Sequence, residues 1–245
     1  TYGDDLVDHH TYVIAGDGCL MEGVNHEAVG LAGHLQLGRL IMLWDDNNIT
    51  IDGSVELSRN EDVVARFDAS KWHTVECDGL DADDVSRAIE EARADPRPSL
   101  IRCKTIIGFG APHKQGTAAT HGSALGPDEV AAAKRELDIS PEPFSVPEDV
   151  LTAWRSFGKR GTIDRAQWRE RLEASPRQDE FLARLNGKVS DAWLKPYLDK
   201  LLADLKPVAT RKASESALEA INAAIPATIG GSADLTGSNN TKTKN

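Results

Sequence analysis

Two short polar stretches, Gly16-Asp17-Gly18 and Asp45-Asp46-Asn47-Asn48, contain the residue types that hold a divalent cation against phosphate oxygens. Asn47 lies thirty positions after Asp17. A carboxylate, an amide oxygen and a nearby backbone carbonyl are hard ligands suited to Mg²⁺ or Ca²⁺. A cation held by so few protein donors keeps its other positions for phosphate oxygens. Gly18 lets backbone approach closely, and the helix N-terminus that follows presents N–H groups to an anion. Either stretch alone reads as a turn or loop. Together, at strand ends, they read as a metal-bridged diphosphate site. A dinucleotide-binding fingerprint, and with it a nucleotide-dependent oxidoreductase, is disfavoured because Met21 stands where that pattern requires Gly or Ala.

The elements that must position these residues follow from hydrophobic patterning. Tyr12-Val13-Ile14-Ala15 is a short apolar run that predicts a buried strand ending in the Gly16-Asp17-Gly18 turn. Apolar residues then recur at helical spacing from about Asn25 to Leu37, with Gly38 expected as the C-cap, and Leu40 to Trp44 predicts a second buried strand. Strand, helix and strand in so short a span form a βαβ unit, so the sheet is expected to be parallel and covered by helices. Further helices are expected over Asp62–Phe67, Ala82–Ala94 and Asp128–Leu137, and further strands over Trp72–Cys77 and Leu100–Lys104. The fold class is therefore α/β. In an open parallel sheet, ligands bind beyond the carboxyl ends of the strands, where both polar stretches sit.

After Pro141, Pro143 and Pro147 the pattern turns to polar amphipathic helices around Asp149–Phe157, Asp164–Glu173, Asp179–Leu185 and Trp193–Leu205. Near Thr210 a new pattern begins, with a helix from about Lys212 to Ala224 and a short strand at Thr228-Ile229-Gly230-Gly231. The expected organisation is one α/β domain over residues 1–140, a helical connector over 141–206, and the start of a second α/β domain over 207–245. The chain begins without methionine and enters a strand almost at once, an opening that suggests cropping at the front.

The G-D-G and N-N pair resembles the thiamine-diphosphate signature, and the surrounding words resemble transketolase. They include Gly16-Asp17-Gly18-Cys19-Leu20-Met21-Glu22-Gly23, His26-Glu27-Ala28, and Asp45 through Gly53. Lys104-Thr105-Ile106-Ile107-Gly108-Phe109-Gly110, His121-Gly122, Thr210-Arg211-Lys212-Ala213-Ser214 and Gly230 through Leu235 continue in the family's order. The resemblance covers nearly the whole chain, the helical bridge being loosely patterned. It implies a thiamine-diphosphate-binding fold: the C-terminal part of a diphosphate-binding domain, then the bridge, then the beginning of a pyrimidine-binding domain.

The same resemblance implies roles. Asp17, Asn47 and the carbonyl of Ile49 hold the metal, Mg²⁺ with Ca²⁺ or Mn²⁺ as alternatives, while Gly18 and Asn47 approach the diphosphate. Ile51 packs near the thiazolium ring, and His121 lines the pocket where sugar hydroxyls meet the reactive carbon. Glu22 and Glu27 read on their own as carboxylates favourable near a helix N-terminus; the family links such acids between the two active sites of a dimer. Arg211 and Ser238 grip the sugar phosphate, arginine being suited by its planar fork, and Asp234 contacts the cofactor from the neighbouring subunit. The implied reaction is reversible transfer of a two-carbon ketol unit from a ketose phosphate to an aldose phosphate, in the pentose-phosphate pathway or Calvin cycle. A homodimer with sites between subunits follows. The activating glutamate of the family falls outside these residues, so this chain by itself is expected to be inactive. Dihydroxyacetone synthase shares most of these words and is the alternative, as is a non-catalytic paralogue that binds the cofactor. One departure stands out: Ala118 occupies a position where many relatives carry a second histidine ahead of the one matched by His121.

Composition agrees with a globular protein, with 40% hydrophobic and 27% charged residues. A net charge of −11 without a basic stripe argues against nucleic acid as a partner. No apolar run approaches the roughly 20 residues of a membrane helix. Cys19, Cys77 and Cys103 stand far apart, an odd set that fits reduced thiols in a cytoplasmic protein.

Overall fold

Val13, Leu40, Met42 and Leu100 are spaced so that neighbouring strands bury the same face, and this produces the parallel sheet. The computed structural model describes residues 2–244. β1 (Thr11–Gly16) leads through α1 (Asp17–Met21) and α2 (Gly23–His34) to β2 (Leu40–Asp46). A small antiparallel pair, β3 (Ile49–Thr50) and β4 (Gly53–Ser54), precedes α3 (Val63–Ala69). β5 (His73–Asp78), α4 (Ala82–Ala94) and β6 (Ser99–Lys104) complete a four-stranded parallel sheet in the order β1-β2-β6-β5. α5 (Pro127–Glu136) and α6 (Glu148–Lys159) follow.

Both faces of the central strands are covered, as a parallel sheet requires. On one face Met42, Trp44 and Leu100 pack with Leu20, Val29, Val63, Phe67 and Trp72. On the other, Ile41, Ile101 and Cys103 pack with Val75, Cys77, Ala88 and Ala92. Burial pushes the Cys103 thiol up to about 12, helped by Cys77 beside it, and raises Cys77 as well. All three cysteines are free.

The chain divides into two compact units. One is Asp8–Arg160; the other joins the residues up to Val7 with those from Gly161 onward. The second contains α7 (Thr162–Ala174), α8 (Gln178–Leu185), α9 (Leu194–Ala203), α10 (Thr210–Ala224) and α11 (Thr236–Asn239). Within it the Trp168 indole N–H donates to the Leu6 carbonyl at 2.9 Å, and Tyr2 meets Phe181 edge-on at 5.1 Å. No helix among the described residues is long and apolar enough to cross a membrane.

Three local expectations need correction. β1 is an edge strand with only one side packed: Tyr12 and Ile14 are 47% and 81% exposed. A short apolar run does not distinguish one buried face from two. Helix α2 ends not at Gly38 but through Gln36, whose φ of 52° makes the left-handed turn. Gly38 serves packing instead, since a Cβ there would strike the Pro96 carbonyl. Residues 228–231 form no strand, and Ile229 is 94% exposed. A strand needs a neighbour to pair its backbone groups, and none lies beside this segment among the described residues.

Gly33 shows how tightly α2 is seated. A Cβ at this position would drive into the Ser70 carbonyl at the end of α3 and crowd Trp72. Gly33→Ala is therefore expected to lower stability by about 2 kcal/mol or more despite alanine's better helix propensity, read as a shift in the urea unfolding midpoint.

Candidate cofactor and metal site

Parallel pairing sets Gly16 beside Asp45, so β1 and β2 release their chains at the same edge of the sheet. Asp17 opens α1 and is buried at 2% exposure. Its Oδ1 accepts from the Trp44 indole N–H at 3.1 Å and from Arg59 Nη2 at 2.8 Å. Its Oδ2 accepts from the Asn48 backbone N–H at 3.0 Å. The two polar stretches thus meet directly, one carboxylate bridging the tip of β1 to the turn after β2. Asn48 makes that turn in the left-handed region, at φ 63°, which asparagine tolerates better than most residues.

Asn47 is held from both ends. Its Oδ1 accepts from the Ile49 N–H at 3.0 Å, and its Nδ2 donates to Asp45 Oδ2 at 2.9 Å. Asp45 is fixed in turn by the Thr105 hydroxyl, which donates to its Oδ1. A cavity of about 720 Å³ opens over this edge. Asp17, Gly18, Glu22, Asn47, Ile49, Ile51 and His121 all line it. Its size suits a cofactor. Ile51 is 72% exposed and His121 is exposed, so the cavity is open on their side.

Other candidates lie elsewhere. Glu27 is exposed on α2 and does not line the cavity. Glu22, by contrast, is the extended residue between α1 and α2 and lines it. Arg211, in the first turn of α10, Ser238 in α11, and Asp234, in the left-handed region at φ 57°, belong to the second unit and are exposed there.

The residues present fit a divalent cation bridged to a diphosphate. Counting two lone pairs per oxygen, Asp17 Oδ2 and Asn47 Oδ1 each keep one free after the bonds above. A Cβ on Gly18 would meet no protein atom, so the cavity above that backbone is open to a ligand. No cluster of three His, Cys, Asp or Glu side chains forms among the described residues, so a cation here would have few protein donors and many ligand ones.

Two participants, Trp44 and Arg59, were not evident from sequence, nor were the ion pairs of Asp46. Trp44 read simply as a buried strand residue, yet its indole N–H needs a partner when buried, and that requirement was the available signal. Arg59, in the loop before α3, lies 42 positions from Asp17 with no periodicity to connect them. Asp46 is buried at 5% and pairs with Arg102 Nε at 2.5 Å and Lys104 Nζ at 2.6 Å. Burial works to lower the Arg102 guanidinium, but Asp46 and Glu76 hold it above its ordinary value. Arg59 and Arg102 both lie over the Trp44 ring, at 5.4 and 5.3 Å.

Comparison with known proteins places this geometry in context. The family model described as "Transketolase, thiamine diphosphate binding domain" matches residues 1–191. A transketolase of Cereibacter sphaeroides is 52% identical over 248 residues, covering 99% of this chain and 37% of the relative. One from Rhodobacter capsulatus is 47% identical over 247 residues, again covering 99% and 37%. Among solved structures, Pichia stipitis transketolase in complex with sedoheptulose 7-phosphate superposes with a TM-score of 0.85 at 44% identity, over 96% of this chain and 36% of that one. Campylobacter jejuni transketolase gives 0.84 at 33% identity, over 98% and 37%. The chain spans about 37% of the length of the curated relatives it matches.

Proposed function

Because this chain belongs to the transketolase family, we propose that it carries the diphosphate- and metal-binding part of a ketol-transfer site. In this reading residues 1–140 are the diphosphate-binding domain, 141–206 the connector and 207–245 the start of the pyrimidine-binding domain. The whole protein moves a two-carbon ketol unit between sugar phosphates, as a cytoplasmic homodimer with sites between subunits. The observation that carries the proposal is the Asp17 carboxylate accepting from the Asn48 N–H at 3.0 Å on a cavity wall that also contains Asn47, Ile49 and Gly18.

Asp17, Asn47 and the Ile49 carbonyl would hold Mg²⁺, and the open backbone at Gly18 would receive the diphosphate. Thiamine diphosphate, when bound, supplies a carbon nucleophile and an electron sink for the cleaved bond. The protein's own contribution is placement. Thr105 fixes Asp45 and Asp45 fixes the Asn47 amide, so the amide oxygen would be oriented before a cation binds. Ile51 would exclude water beside the thiazolium ring. His121 would donate to or accept from substrate hydroxyls, and Glu22 and Glu27 would join the hydrogen-bonded link between sites. Arg211 and Ser238 would grip the substrate phosphate, with Asp234 reaching cofactor held by the neighbouring subunit.

Calorimetric titration with thiamine diphosphate tests this. Saturable binding is expected with Mg²⁺ and not after chelation; binding indifferent to the cation would refute the bridged arrangement. A second expectation concerns turnover. Because the family's activating glutamate lies outside these residues, the purified 245-residue chain is expected to transfer no ketol unit from a ketose phosphate to an aldose phosphate. Measurable transfer would show that the chain completes a site by itself.

A further inference from the structure

We infer that Arg59 is a built-in electrostatic competitor of the divalent cation: from Oδ1 it neutralises Asp17 while the metal is absent, and its charge opposes a cation on the free lone pair of Oδ2. The inference rests on the reading of Asp17 as a metal ligand.

Arg59 is placed by a short turn. Its backbone N–H donates to the Val55 carbonyl at 2.9 Å, just before the residues that cap α3. The side chain is 11% exposed and that of Asp17 fully buried, so their 2.8 Å ion pair is shielded from solvent. Among the described residues Asp17 is the only carboxylate within ion-pairing distance of Arg59. A buried carboxylate without a countercharge is strongly unfavourable, and Arg59 supplies that charge from within the chain.

The pairing is incomplete in a telling way. Arg59 Nη1 is buried and has no hydrogen-bond partner, so half of the guanidinium fork is wasted. An arginine evolved only to lock Asp17 would use both arms on a carboxylate. Arg59 instead engages one oxygen with one nitrogen, and that same oxygen already accepts from Trp44.

Arg59 does not line the large cavity; it lines a separate one of about 300 Å³, together with Asp46, Asn48, Glu61 and Asp62. It therefore reaches Asp17 from behind, out of a space also lined by Arg102 and Lys104, where Asp46 is paired with those two cations, Glu61 with Arg66, and Asp62 with the Ala65 N–H. Two cations sharing Asp17 repel, so a divalent ion arriving at Oδ2 from the cofactor side meets the charge of Arg59 on Oδ1. An ion arriving with a diphosphate carries a smaller net positive charge, or none, and meets less opposition. Arg59 thereby biases the site against free cations and in favour of the metal–diphosphate pair.

The test is Mn²⁺ binding to the full chain, counted by the electron paramagnetic resonance of free ion, together with thermal unfolding without metal. Arg59→Met is expected to bind Mn²⁺ roughly tenfold more tightly than the parent, a coupling of ordinary size between two ligands. Its unfolding midpoint should fall without metal and recover at saturating Mn²⁺. Arg59→Lys, which keeps the charge, should stay near the parent affinity. Arg59→Gln offers the same comparison as Arg59→Met should the methionine variant not fold. If removing the charge leaves Mn²⁺ affinity unchanged or weaker while Asp17→Asn abolishes binding, Arg59 is no competitor and the metal site stands. If Asp17→Asn binds Mn²⁺ as the parent does, or no variant binds it even with thiamine diphosphate present, the metal reading itself fails and takes this inference with it.

Discussion

Asp17→Asn is expected to weaken divalent-dependent binding of thiamine diphosphate by about 100-fold and to destabilise the apo protein by about 3 kcal/mol. The size follows from the hydrogen bonds. Trp44 Nε1, Arg59 Nη2 and the Asn48 N–H all donate to this side chain. An asparagine has one acceptor oxygen, so at least one of those donors would confront an NH₂ group. Arg59, 11% exposed, would also lose its countercharge. Titration calorimetry reads the first effect and denaturant unfolding the second. Parental affinity in the variant would show that the carboxylate holds no metal. Parental stability would show that the buried pair contributes nothing.

Phe67→Ala should have the largest effect on folding, about 4 kcal/mol. Phe67 is 0% exposed and meets Trp72, 1% exposed, edge-on at 5.0 Å. The Trp72 indole N–H donates to the Val29 carbonyl at 2.9 Å, so the pair ties α3 to α2 beneath the sheet. Removing the ring leaves a cavity against a residue that cannot move without breaking that bond. Whole domains have net stabilities of roughly 5–15 kcal/mol. The variant is thus expected to lose most of its cooperative urea transition, and an unchanged midpoint would contradict the packing described. The effect also reaches function, because α3 follows the loop that carries Arg59.

Much of this was legible in sequence because strand tips in a parallel sheet obey a strong rule. Once Tyr12–Ala15 and Leu40–Trp44 are strands joined by a helix, Asp17 and Asn47 must leave the same edge, and there both line one cavity. The helices from Ala82 to Ala94 and from Asp149 to Phe157 carry enough periodicity to be placed within a residue or two. What escaped prediction depends on contacts distant in sequence. Arg59 meets Asp17 across 42 positions, a contact that no local pattern encodes. Gly38 looks like a helix cap because glycine serves turns and close packing alike, and only the Pro96 carbonyl decides between them. The exposed side of β1 and the irregular path of 228–231 reflect which neighbours a segment has, a property no local pattern encodes.

The indole of Trp44 has a practical consequence. Its N–H rests on a carboxylate and its ring lies within 5.5 Å of two guanidinium groups. The emission colour of such a chromophore follows the electric field across it, so any charge entering or leaving the strand tip is written into its spectrum. Trp72, sealed in the interior, offers a steady internal standard. Read as a difference from Trp44→Phe, which cancels Trp72, Trp154, Trp168 and Trp193, the strand tip comes with its own voltmeter, needing neither dye nor label.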